Sequence, residues 1–204
     1  MAQKITLKSP VKFLALGDSY TIGESVGAKE NWPHQFIDSI NASGIEAENP
    51  VVLATTGWRT DDLMNAINDS HLASNFNLVS ISIGVNNQYQ GKPFSLFETE
   101  LPVLFGQALR HCNNDTTSIF FVSIPDYYFT PFGLSSKKGK TNSTELDQYN
   151  TFMNQFAEKM HVPFIDVTSI SRNRDEHLTA KDGLHPSAFQ YSKWVSEMLK
   201  SIKW

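Results

Sequence analysis

Five short apolar runs punctuate the chain, and each stops at a cluster of turn-forming residues. The first, Phe13 to Leu16, ends at Gly17-Asp18-Ser19; the second, Pro50 to Ala54, ends in a turn from Thr55 to Thr60. The third, Asn77 to Ile83, runs into Gly84, Asn86 and Asn87; the fourth, Ser118 to Ile124, ends at Pro125-Asp126; the fifth is Val162 to Asp166. Apolar runs of this length bounded by turn signals predict buried strands. Between them the apolar positions change to helical spacing. Trp32, Phe36, Ile37 and Ile40 form one stripe, stopped at Gly44, and Leu63, Ala66 and Ile67 a second, capped by Thr60 with Asp61 and Asp62 in the first turn. Phe97, Leu101, Leu104, Phe105 and Ala108 follow a Ser95–Glu98 capping box, and Pro102 inside that stripe predicts a kink or a later start. Leu146, Tyr149, Met153, Phe156 and Met160 follow a start at Asn142 and Glu145, and a last helix runs from about Pro186 to Ile202. Strands alternating with helices predict an α/β fold, a three-layer α/β/α sandwich on a parallel sheet. Five strands suit the flavodoxin-like order 2-1-3-4-5, an order taken from the fold class.

Composition narrows the partners. The 204 residues suit one domain spanning 1–204, and 17 basic against 21 acidic residues, net −4, give no reason to expect nucleic acid. The one cysteine, Cys112, leaves no internal disulfide and no multi-cysteine zinc site. No run reaches the ~20 apolar residues of a membrane span, and no apolar leader opens the chain, so integral membrane association is not expected and the chain reads as cytoplasmic. Nothing points to an oligomeric state.

The carboxyl ends of parallel strands share one edge, where ligands of open α/β sheets bind. That edge would collect Ser19, Gly57, Gly84 and Asn86. Ser19 suits a nucleophile, although Gly17-Asp18-Ser19 taken alone reads more readily as a turn. Just before the last helix, Asp182 and His185 supply an acid and a base: Pro186 suits a first helical position, His185 would be the cap, and Asp182 could accept a hydrogen bond from the imidazole. Asp18 reads as a turn residue, and His34, His71, His111, His161 and His177 as surface residues. The spacing of Asp166, Asp175, His177, Asp182 and His185 matches no zinc pattern, and neither Gly-x-x-x-x-Gly-Lys nor Gly-x-Gly-x-x-Gly occurs.

The blocks Gly17-Asp18-Ser19-Tyr20, Gly57, Gly84-Val85-Asn86-Asn87 and Asp182-Gly183-Leu184-His185 together resemble the four blocks of the SGNH hydrolases, the GDSL lipase/esterase family. The resemblance implies a serine esterase without a cofactor, acting on a small-molecule ester. Ser19 would be the nucleophile, His185 the base and Asp182 its partner, with an oxyanion hole from the backbone N–H groups of Ser19 and Gly57 and the side-chain amide of Asn86. Tyr20 and Asn87 depart from the family's usual leucine and aspartate and join Tyr127 and Phe132 as candidate substrate-binding residues. Tyr127 and Phe132 lie in a long segment from Pro125 to Asn142, rich in aromatics and carrying Lys137 and Lys138, expected to shape the pocket. The alcohol could be a sugar, a lysophospholipid or a small alcohol. A thioesterase or lysophospholipase of the same family and a non-catalytic flavodoxin-like binding domain are the alternatives.

Overall fold

Strand β1, Phe13–Gly17, is buried at all five positions and sits inside the sheet rather than at its edge. Around it lie β2 (Val51–Ala54), β3 (Leu78–Ser82), β4 (Ile119–Val122) and β5 (Phe164–Ile165). In this computed structural model, which describes residues 3–136 and 139–203, the sheet order is β2-β1-β3-β4-β5 and every pairing is parallel. That is the order expected from the fold class. β3 and β4 are as fully buried as β1, whereas the edge strand β2 leaves Val51 exposed. Lys137 and Lys138, part of the segment expected to shape the pocket, lie outside the described residues.

The helices are α1 (Ser19–Ile22), α2 (Trp32–Ala42), α3 (Thr60–Asp69), α4 (Val85–Tyr89), α5 (Phe94–His111), α6 (Pro131–Ser135), α7 (Thr141–Met160), α8 (Thr168–Ser171) and α9 (Ala188–Lys200). A short parallel pair, Ile5–Thr6 with Ile202–Lys203, lies outside the main sheet. The short helices α1 and α4 stand where the sequence reads as turns, too brief to show a helical period. The segment after β4 also carries structure of its own, a 3-10 turn at Tyr127–Phe129 followed by α6.

Four helix starts differ from expectation, the simplest being α7, which begins at Thr141 after Lys140 so that Asn142 lies inside the helix rather than capping it. α3 is capped by Arg59, whose N–H donates to Asp62 Oδ2 at 3.0 Å, so Thr60 is its first helical residue. α5 begins after Pro93, without a Ser95–Glu98 box, and runs unbroken through Pro102. Pro102 and Glu98, whose carbonyl the proline leaves without an intrahelical donor, are both exposed, so water can take that carbonyl. The opposite face buries Phe97, Leu101, Leu104, Phe105 and Ala108, each large side chain contributing about 1.5–3 kcal/mol against the roughly 3 kcal/mol cost of an interior proline. Finally, α9 starts at Ala188, capped by Ser187, whose side chain accepts the Gln190 N–H. His185 is therefore not the cap; it lies in the turn before it.

Gly17 joins β1 to α1. A Cβ there would lie 2.1 Å from Thr21 Oγ1 and 2.6 Å from the Ser82 carbonyl oxygen. Only glycine lets α1 fold down against the end of β3, and this closeness places Ser19 beside the loop that follows β3.

Candidate active site

Asp18 caps α1 by accepting the Tyr20 N–H at 3.0 Å, which places Ser19 at the first helical position. As the sequence suggests, Asp18 is a turn residue. It is also fully enclosed, and burial pushes its carboxyl up to about 7 against the opposing backbone hydrogen bonds.

The turn after β2 forms the next wall. Gly57 has φ +86°, a left-handed conformation natural to glycine. Two side chains of α4 and its C-cap hold this turn: Asn86 Nδ2 donates to the Trp58 carbonyl at 2.9 Å, and Gln90 Nε2 to the Gly57 carbonyl at 3.1 Å. Gln90 is itself held by Arg59 Nη1 at 2.9 Å, and the Arg59 guanidinium is clamped by Asp61 at 2.8 and 2.7 Å. The Asn86 amide has two hydrogens, so the bond to Trp58 orients it and leaves one N–H for another acceptor.

Asp182 and His185 come from one tight turn. Thr179 and Pro186 form an antiparallel bridge, closed by the Ala180 N–H donating to the His185 carbonyl at 2.8 Å. Within it His185 Nδ1 lies 2.6 Å from Asp182 Oδ2, while Asp182 Oδ1 accepts the N–H groups of Leu184 (2.9 Å) and His185 (3.0 Å). Burial opposes ionisation of Asp182, yet hydrogen bonds from Ser25, His185 and these backbone groups outweigh it and hold the carboxyl well below the usual range. The turn thus presents a carboxylate to Nδ1, which favours the tautomer with a free Nε2.

Ser19, Gly57, Asn86 and His185 open onto a common cavity of about 350 Å³. Of the four candidate substrate-binding residues, Tyr20, Tyr127 and Phe132 line it. Tyr20 packs edge-on against the His185 ring at 5.6 Å, and Tyr127 donates its hydroxyl to Gln88 Oε1 at 2.9 Å, turning an apolar face to the cavity. Asn87 does not belong with them. It is fully buried, accepting the Thr60 N–H at 3.1 Å and donating to Thr60 Oγ1 at 2.7 Å, because the helical turn of α4 points it away from Asn86 and into the protein.

Thr56, Val85, Tyr89, Gln90 and Leu184 complete the lining and were not singled out in the sequence, although Val85 and Leu184 lie inside the quoted blocks. Tyr89 brings its ring to 6.0 Å from Tyr127 and 6.2 Å from Phe132. None of the other five histidines lines the cavity. His71, His161 and His177 are exposed, while His34 and His111 are half-buried, bonded to Asn31 and to the Ala73 carbonyl. Among the described residues no group of three His, Cys, Asp or Glu side chains is placed to hold a metal ion.

The profile of the GDSL-like lipase/acylhydrolase family matches residues 15–193, a span that holds all four blocks and the whole cavity. The chain belongs to this family. No curated protein matches it in sequence. Solved structures of similar fold include a lipase/acylhydrolase from Enterococcus faecalis, 19% identical, covering 93% of this chain and 94% of its own, at a TM-score of 0.74. A mutant acetyl-xylooligosaccharide esterase from Geobacillus is 20% identical, with coverage of 99% and 97% and a TM-score of 0.72. A psychrotrophic esterase from Pseudoalteromonas, in a structure inhibited by monoethylphosphonate, is 19% identical, with coverage of 93% and 95% and a TM-score of 0.67. At these identities the likeness is one of fold, and it matches the five-stranded parallel sheet flanked by helices. Among the described residues of this GDSL-family hydrolase, no helix is long and apolar enough to cross a membrane.

Proposed function

We propose that this family member is a serine esterase, a single catalytic domain that cleaves carboxylic esters through an acyl-enzyme. The observation that carries the reading is the meeting of Ser19, Gly57, Asn86 and His185 on one cavity, with the His185–Asp182 pair at 2.6 Å behind it. Ser19 Oγ attacks the acyl carbon as His185 Nε2 takes its proton, and Asp182 stabilises the imidazolium. The oxygen of the tetrahedral intermediate carries a negative charge, met by the N–H groups of Ser19 and Gly57 and the free amide hydrogen of Asn86. Collapse expels the alcohol, protonated by His185. Water then attacks the acyl-enzyme by the same route, and the carboxylic acid leaves.

The cavity lining favours an uncharged group. Among the described residues no Lys, Arg, Asp or Glu lines it, and Tyr20, Val85, Tyr89, Tyr127, Phe132 and Leu184 supply apolar or aromatic surface. The esterases among the structural neighbours agree with an ester substrate. A fluorophosphonate tests the reading: it should label the protein once, at Ser19, and Ser19→Ala should abolish both the label and nitrophenyl ester hydrolysis. Hydrolysis that survives Ser19→Ala would overturn it.

A further inference from the structure

Asp182 has a hydrogen-bond partner outside its own turn. Ser25 Oγ donates to Asp182 Oδ2 at 2.7 Å, the same oxygen that faces His185 Nδ1 at 2.6 Å. With the Leu184 and His185 N–H groups on Oδ1, each carboxylate oxygen has two donors. Three of the four come from within residues 182–185; among the described residues, Ser25 is the one donor to the carboxylate from another part of the chain.

The backbone at Ser25 gives a second, independent observation. Its φ is +69°, in the left-handed region where a Cβ is a liability and glycine is at ease. Its neighbours Gly23 and Gly27 show that the turn is rich in glycine, yet this left-handed position carries a serine. Strained backbone of this kind persists where the surroundings over-determine it and gathers at functional sites. Here the side chain supplies what glycine lacks, a hydroxyl aimed at the carboxylate.

The same short turn reaches the other two parts of the site. The N–H groups of Gly23 and Glu24 donate to the Ser19 carbonyl at 3.1 and 3.0 Å. Glu24 accepts a hydrogen bond from Thr56, the residue before Gly57. Residues 23–25 therefore touch the nucleophile helix, the turn after β2 and the acid of the acid–base pair.

We infer that Ser25 is a positioning residue for the Asp182–His185 pair, fixing the carboxylate rotamer and drawing part of its charge away from the imidazole. The inference rests on the esterase reading of the cavity. Asp182 shares its surroundings with the phenols of Tyr20 on α1 and Tyr191 on α9, each of which feels the charges of both Asp182 and Asp18. Burial holds both phenols neutral, and neither contacts Asp182 through a hydrogen bond as Ser25 does.

Ser25→Gly separates positioning from support of the turn, because losing the Cβ relieves the backbone while losing the hydroxyl removes the donor to Asp182. Its melting temperature should equal or exceed that of the unaltered protein. kcat/KM for a nitrophenyl ester should nevertheless fall roughly tenfold, the scale of one hydrogen bond to a charged group. The loss should lie in kcat, with KM little changed, since water can solvate the vacated carboxylate without fixing its rotamer. Freed of the donor, Asp182 should support the imidazolium more strongly, moving the acid limb of kcat/KM to higher pH. Labelling of Ser19 by the fluorophosphonate should slow in parallel. Unchanged kcat and pH profile in Ser25→Gly would overturn the inference, as would a fall in melting temperature that accounts for the lost activity. Protein that never labels at Ser19 would instead remove the esterase reading, and this inference with it.

Discussion

The side chain of Asn87 is bonded twice to Thr60, once through each end of its amide, while the neighbouring Asn86 spends one N–H on the Trp58 carbonyl and faces the cavity. Two adjacent asparagines thus have different work. Asn86→Ala should cost ~10²–10³ in kcat with KM nearly unchanged. Asn87→Ala should leave the Thr60 N–H unpaired in the interior, while Thr60 Oγ1 keeps its bond to Glu100, costing about 1–3 kcal/mol of stability and sparing kcat in the folded fraction. Denaturant melts beside steady-state kinetics for both variants decide it; a larger kcat loss at Asn87 would sink the assignment.

Asp18 makes stability depend on pH in an unusual direction. Its folded carboxyl titrates near 7, above the ~3.9 of an unfolded aspartate, so the folded state holds the proton more tightly. Stability from this residue is therefore greatest in acid and falls as pH rises, by roughly 2–3 kcal/mol between pH 5 and pH 8. Asp18→Asn keeps the oxygen that caps α1 and removes the titration. Its unfolding free energy, measured by urea melts, should change less over that interval than that of the unaltered protein. Parallel slopes in the two proteins would refute the burial effect.

Asp182→Asn tests the acid through the tautomer. If the amide oxygen keeps the Leu184 and His185 N–H groups, its nitrogen faces His185 Nδ1 as a donor, favouring the imidazole with its proton on Nε2. That form cannot take the Ser19 proton, and kcat should fall by roughly 10³–10⁴. The stability effect has the opposite sign to that of Asp18: the depressed Asp182 carboxyl stabilises the fold above the unfolded aspartate range and loses that contribution as pH falls through its folded value. Activity within tenfold of normal in Asp182→Asn would contradict the proposed role.

Phe132 is 37% exposed and meets Tyr89 across the cavity mouth. Phe132→Ala should change melting temperature little but raise KM several-fold for esters with long or aromatic groups, leaving acetate esters near normal. A nitrophenyl ester series measures this, and a uniform change across the series would count against a specificity role.

The sheet was legible because each strand is a short apolar run ending at a turn, and the parallel edge then followed from alternation with helices. Ser19, Gly57 and Asn86 could be gathered because each sits at or just beyond such an ending, and Asp182 and His185 because they stand just before the last helix. Asn87 could not be told from Asn86, since only the helical turn of α4 separates a side chain facing the cavity from one facing Thr60. Ser25 was equally hidden. A serine in a glycine-rich turn is ordinary by composition, and its partner lies 157 positions away. The start of α9 was misread because Pro186 carries the mark of a first helical residue while occupying the strand-like bridge to Thr179.

The turn from Thr179 to Pro186 makes the proposed acid–base pair a compact cassette, since Asp182 and His185 are three residues apart and bonded to each other within it. Ser19 belongs to a different piece, and α9, with Tyr191, Trp194, Val195 and Met198 buried, presses the cassette's far end into the core. Loosening this seam would carry both members of the pair away together, their mutual geometry intact. Heat should therefore switch the enzyme off by parting the pieces before it melts either one, so that inactivation runs ahead of the loss of secondary structure.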